Sequence, residues 1–234
     1  MRTSLGVLPY FPQLTWLIIW SLAHVLALSA LGGDLSKFYP AQAVVERDRY
    51  ALSFDAARRC PRWVCWRIDG AAKAADRKGM AFHADPSVYR SPAASDYAAS
   101  GYDIGHMCPA GDMTSDAGAL KDTFDTANAC PQLPALNRGD WKELEAALHN
   151  EAFTKPVLCV CGPVWTTGRS ALIGEGGVAV PDAFFKIAYG GTCAVVRAWV
   201  FPNKAGSRPL GEYSVPLAAV ETQTGLTFSR SPIP

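Results

Sequence analysis

The sequence predicts an α+β domain, and three observations carry that prediction. Short runs that alternate apolar and polar residues recur along the chain, helical periodicity is confined to stretches inserted between them, and no segment repeats. Strict strand-helix alternation, the mark of a doubly wound parallel sheet, is missing from this order. A length of 234 residues with 49% hydrophobic residues is enough to bury one sizeable core. One domain is therefore expected over 31–234, behind a distinct N-terminal segment over 1–30.

That first segment is read from residues 14–31, LTWLIIWSLAHVLALSAL. They are almost wholly apolar, Arg2 is the sole charge before Asp34, and small residues follow where a signal peptidase cuts. A signal peptide cleaved near Ala30 is the first reading, which makes the protein secreted or periplasmic. A retained membrane anchor is the second, although His24 near its middle is a cost, and a buried N-terminal helix is the third.

The domain then opens with RYALSFD and RWVCWRID, two alternating stretches joined by the turn-forming AARRCP, hence two strands. ADPSVYRSPAASDYAASG is rich in Ser, Pro and Ala and reads as a loop. DIGHM is a short strand, and AGALKDTFDTANA is helical in part. RGDWKELEAALHN is the strongest helix, with Trp141, Leu144 and Leu148 at helical spacing. Strands are expected over 156–166, 179–189 and 191–201, the last two joined by a glycine turn.

Composition narrows the chemistry. A formal charge of +1 provides no basic tail, so a polyanionic partner must be met by a local patch. Seven cysteines form no CxxC pair, which disfavours a structural zinc site, and an odd count leaves at least one thiol unpaired or intermolecular. GxSxG, GxxxxGK[ST] and HExxH are absent, as is a full dinucleotide fingerprint around Gly174 and Gly176. Serine hydrolysis, P-loop phosphoryl transfer and hydride transfer therefore lack their parts.

What remains is His106 in SGYDIGHMCPAGDM, followed by TANACPQLPALNRGDWKELE. A lone histidine is by default a satisfied structural residue. His106, however, is followed by Asn128, Asn137 and Glu145, and an amide oxygen beside a carboxylate suits a hard, water-rich magnesium site. Asn137 at the start of the helix reads equally as an N-cap, and Glu145 as a solvated charge paired with Lys142. Eight residues of helix, about 12 Å of rise, separate Asn137 from Glu145. One direct protein ligand, with Glu145 reaching a water in the ion's shell, is the arrangement this allows.

These residues carry a resemblance. SGYDIGHMCPAGDM, NACPQ at 128–132 and LNRGDWKELE at 136–145 resemble the motifs of the DNA/RNA non-specific endonucleases, within the ββα-metal or His-Me finger enzymes. YALSFDAARRCPRWVCWRID, VCGPVW and VPDAFFKIAY are similar to that family's flanking strands, so the likeness runs from about 45 to about 203. It implies an α+β fold with a ββα-metal core on a mainly antiparallel sheet. It implies hydrolysis of DNA, with RNA open as a second substrate, at little sequence specificity, and recognition of backbone and shape.

The roles it implies are specific. His106 is the general base, Asn137 the ligand of Mg2+ with Mn2+ as a substitute, Glu145 the holder of a metal-bound water, and Asn128 a residue that positions the site. Asp103 braces the turn. Ile104 departs from the family, which usually has arginine there. Arg59, Arg62, Arg67, Arg90 and Arg138 are the candidates to replace that cation; failing them, a silent nucleic-acid- or protein-binding module at the cell envelope is the alternative. Oligomeric state is left open.

Overall fold

The computed structural model describes residues 44–166, 168–191 and 196–230. The expected N-terminal segment over 1–30 and Cys193 lie outside the described residues.

Six strands form one antiparallel sheet in the order β1-β2-β3-β6-β9-β10. They are β1 (Val45–Glu46), β2 (Tyr50–Asp55), β3 (Cys60–Ile68), β6 (Val157–Val164), β9 (Ala183–Gly190) and β10 (Arg197–Pro202). Every residue of β6 is buried, which is why VLCVCGPV reads as a continuous apolar run: this central strand has both faces covered. The six described cysteines are free and buried, with Cys159 and Cys161 on β6 acting as small apolar packing units.

Two helices pack against this sheet region by different means. α3 (Asp140–Ala152) buries Trp141, Leu144, Leu148 and Ala152 at helical spacing, and the Trp141 ring meets Phe184 and Phe201 at 5.7 Å each. Its first residue, Asp140, is buried and accepts hydrogen bonds from Ser207 Oγ at 2.5 Å, from the Arg208 N–H at 3.3 Å and from the Tyr213 hydroxyl, so the chain after β10 is tied to the helix start. α4 (Leu217–Thr224) packs on β10 through the buried Val220 and ends at Gly225, whose φ of 69° is the left-handed conformation that glycine accepts without strain.

The motif segment folds as a separate two-stranded ladder. β4 (Asp103–His106) pairs antiparallel with β5 (Ala129–Gln132), His106 opposite Ala129 and Asp103 opposite Gln132. Between them run a 3-10 turn over Ala110–Met113 and α1 (Ala117–Asp122), capped by Asp116 accepting from the Ala119 N–H at 2.8 Å. Then come α2 (Pro134–Asn137) and α3, so β4, β5 and α3 make a ββα unit.

Three expectations shift. The strand expected at 179–189 begins at Ala183, because Val178–Ala179 (β8) pairs instead with Leu172–Ile173 (β7) and Pro181 interrupts the run. The strand expected at 191–201 is β10, from Arg197 to Pro202. Asn137 closes the short helix α2 and caps nothing; Gly139 precedes α3 and breaks the helix between Asn137 and Glu145.

Candidate active site

One cavity of about 760 Å³ opens where β4, the 3-10 turn after it, the loop around Arg77 and the helices α2 and α3 meet. His106, Asn137 and Glu145 all line it; Asn128 does not. Three residues that the motifs single out thus meet in one place although three elements carry them.

His106 ends β4, where the pleat turns its ring toward Phe82, at 4.5 Å between centroids, and Phe124, at 5.2 Å. Its Nε2 is covered and has no hydrogen-bond partner among the described residues. Burial, and secondarily the Arg77 cation, pull its pKa down from the ordinary 6.5 to about 3. The ring is therefore neutral at neutral pH, with a lone pair available to accept a proton. A phosphate anion brought beside it opposes the effect of Arg77 and strengthens it as a base.

Asn128 is a bracket. Fully buried, it accepts the Cys108 N–H at 2.9 Å and donates to the Cys108 and Thr123 carbonyls at 2.9 and 3.0 Å, while its own carbonyl accepts the Met107 N–H at 2.8 Å. Those bonds fix the chain just past His106 and occupy the amide, so Asn128 acts on the site by way of the backbone.

Asn137 is held from one side. Its Nδ2 donates to Asp103 Oδ2 at 2.9 Å, which leaves its Oδ1 without a partner among the described residues, in the cavity wall. Asp103 also takes a two-pronged bond from Arg138, Nε at 2.8 Å and Nη2 at 2.5 Å, and that guanidinium holds its carboxyl below the usual range. Asp103 therefore braces the end of α2, rather than the turn that the sequence suggests, and orients the Asn137 amide.

Glu145 differs from a solvated helix charge paired with Lys142. Its Oε1 accepts from Lys186 Nζ at 3.0 Å, and Lys186, on β9, is fully buried with its ammonium 3.9 Å from the Trp141 ring centre and 5.5 Å from that of Trp66. Burial raises the carboxyl's pKa and the lysine opposes that rise. FFKIAY in the sequence places a lysine in a strand that is otherwise buried, and that misfit was the available signal.

Ile104 also lines the cavity. Of the arginines expected to replace the cation it lacks, Arg59 is committed to Asp96 at 3.0 Å, Arg62 lies 3.7 Å from Asp55, and Arg67 and Arg90 are not in the cavity wall. Arg138 is in the wall but clamped to Asp103. Arg77, absent from that set, lines the cavity and acts on His106. Its loop position within DRKG carried no periodic signal.

A second histidine shares the wall. His149, in the last turn of α3, has its Nδ1 2.8 Å from Asp112 Oδ1, and Asp112 Oδ2 accepts the Trp66 indole N–H at 2.8 Å. The hydrogen bond to Asp112, then its charge, raise the pKa of His149 against the opposing effect of burial.

With this geometry in view, comparison with known proteins is direct. The sequence profile of the DNA/RNA non-specific endonuclease family matches residues 36–232. Mitochondrial endonuclease G of Bos taurus is 32% identical, over 97% of this chain and 84% of that protein. Mitochondrial nuclease EXOG of Mus musculus is 35% identical, over 86% of this chain and 61% of that protein. The crystal structure of an EndoG/EndoGI complex contains a chain that superposes with a TM-score of 0.79 at 28% identity, covering 86% of this chain and 91% of that one. The expected α+β, ββα-metal architecture is thereby borne out. The expected location is not: these relatives are named as mitochondrial proteins, which overturns the secreted, periplasmic or membrane-anchored reading of the apolar N-terminal run.

Proposed function

The chain belongs to the DNA/RNA non-specific endonuclease family, and from that premise we propose that it hydrolyses phosphodiester bonds of DNA, and of RNA, with a magnesium-assisted site built on His106, Asn137 and Glu145. Manganese fits the same oxygen donors. The domain spans 31–234. Mitochondrial residence, taken from the names of the relatives, replaces export.

One observation carries the reading: a neutral imidazole, an amide oxygen without a partner among the described residues and a half-buried carboxylate line a single cavity. Hard oxygen donors of this kind suit a divalent cation that retains water. When bound, the cation supplies Lewis-acid stabilisation of the charge that develops on the phosphate and the leaving oxygen. His106 takes the proton from water as the new oxygen–phosphorus bond forms and the bond to the 3′ oxygen breaks. Asn137, oriented by Asp103, would hold the cation, and Glu145, held by Lys186, would orient water beside it. Arg77 supplies the positive charge that Ile104 cannot. Nothing specific favours a silent binding module at the cell envelope.

Supercoiled plasmid incubated with Mg2+, with Mn2+ and with chelator tests this. Relaxed and then linear plasmid with either cation and intact plasmid with chelator are expected. Intact plasmid in all three would contradict the proposal.

A further inference from the structure

Two imidazoles face one cavity, and their surroundings differ in kind. His106 is packed between Phe82 and Phe124 without an anionic partner among the described residues. His149 has a carboxylate at 2.8 Å, and that carboxylate is itself fixed from behind by the Trp66 indole. Asp112 is 4% exposed in its side chain, whereas His149 is 33% exposed. The buried member of the pair thus holds the accessible member at the cavity surface. With Nδ1 engaged by Asp112, the ring's other nitrogen, Nε2, has no partner among the described residues.

A purely structural ion pair has no need of a ring in the wall of the cleft. Asp112 lies on the 3-10 turn that follows the His106 strand, and His149 on the helix that carries Glu145, so the pair joins the two halves of the site. We propose that His149, held by Asp112, is a cationic phosphate-binding residue that captures a non-bridging oxygen of the nucleic-acid backbone through Nε2, beside the scissile site. This rests on the nuclease reading and adds a residue to it.

The charged groups around His149 come from each neighbouring element. Asp112 faces it from the 3-10 turn, Glu145 and Lys142 share its helix, Arg77 comes from the loop and His106 from β4. The contacting Asp112 favours a proton on His149 through its hydrogen bond and its charge, the C-terminal end of α3 adds to that, and burial opposes it. Since the folded pKa is raised, the cation persists through the ordinary histidine range, and capture is lost as pH rises through the raised value.

The test measures anisotropy of a fluorescent 20-base-pair duplex bound to the protein in chelator, from pH 6 to 9, for wild type, His149→Gln, His149→Lys and Asp112→Asn. Chelator prevents the proposed turnover, so the result does not depend on cleavage. Wild-type Kd is expected to rise with pH. His149→Gln should weaken binding about tenfold at pH 6 and flatten the pH dependence. His149→Lys should restore tight binding and keep it to pH 9, and Asp112→Asn should move the loss of binding to lower pH. Equal pH dependence in wild type and His149→Gln, or failure of a folded His149→Lys to restore binding, would overturn the proposal. A plasmid that stays intact while these shifts appear would overturn the nuclease reading alone.

Discussion

Individual side chains in the cleft are tuned by their neighbours more than by their own chemistry. His106 is the clearest case. Below the ordinary pKa of 6.5 the unfolded chain takes up a proton that the folded ring refuses until about 3. This ring's contribution to stability is therefore full above about 6.5 and is lost as pH falls toward 3. Replacing His106 with Asn should accordingly make Tm less steep in pH across that window than in wild type, a comparison that differential scanning calorimetry makes directly. Arg77 is the second case. Arg77→Ala should lower kcat by about tenfold or more if its charge meets the transition state, with a smaller effect on KM. Steady-state nicking kinetics separate the two, and a change confined to KM would reassign Arg77 to ground-state binding.

At the scale of elements, the catalytic hairpin depends on close approach and on one buried amide. A Cβ on Gly105 would sit 2.6 Å from the Cβ of Gln132 on the facing strand, so Gly105→Ala must push β4 from β5 and displace His106. Nicking should fall sharply in a protein that still folds. Asn128→Ala strands the Cys108 N–H and the Cys108 and Thr123 carbonyls. A cost of about 3 kcal/mol, or roughly 6–12 °C in Tm, is expected, with activity falling alongside stability. Unchanged Tm by thermal melt would contradict the bracket.

These elements also show what a sequence can disclose. β2, β3, β4, β6 and α3 are legible because their signals are periodic and local: alternation, an unbroken apolar run, Trp141 with Leu144 and Leu148 on one face. Asn137 ends one helix rather than starting the next because Gly139 divides two helices where the pattern reads as one. The Asp112–His149 and Glu145–Lys186 pairs join residues 37 and 41 positions apart, so no window of the sequence contains them. Motif resemblance located His106, Asn137 and Glu145; only the tertiary arrangement reveals Arg77 and separates bracing from contact for Asn128.

Across the whole molecule, the sheet serves as a rigid rear wall that sends selected polar groups forward into an otherwise apolar core. Lys186 from β9 and the Trp66 indole from β3 both emerge on the α3 side, one bonding Glu145 and the other Asp112. Removing Lys186 leaves a half-buried carboxylate without its cation, which pushes Glu145 toward its neutral form. Lys186→Met should therefore weaken Mg2+ binding in isothermal titration as well as lowering Tm. A stability loss with Mg2+ affinity intact would confine Lys186 to the core.

The central claim is that one cavity holds the base and the cation ligand of a phosphodiesterase. The most direct measurement is plasmid nicking by His106→Ala and Asn137→Ala over a range of Mg2+ concentrations, with Tm recorded for each. His106→Ala should be slower by about a hundredfold or more at every Mg2+ concentration, and Asn137→Ala should regain activity as Mg2+ rises, both with Tm near wild type. Normal nicking by a folded His106→Ala protein would contradict the account.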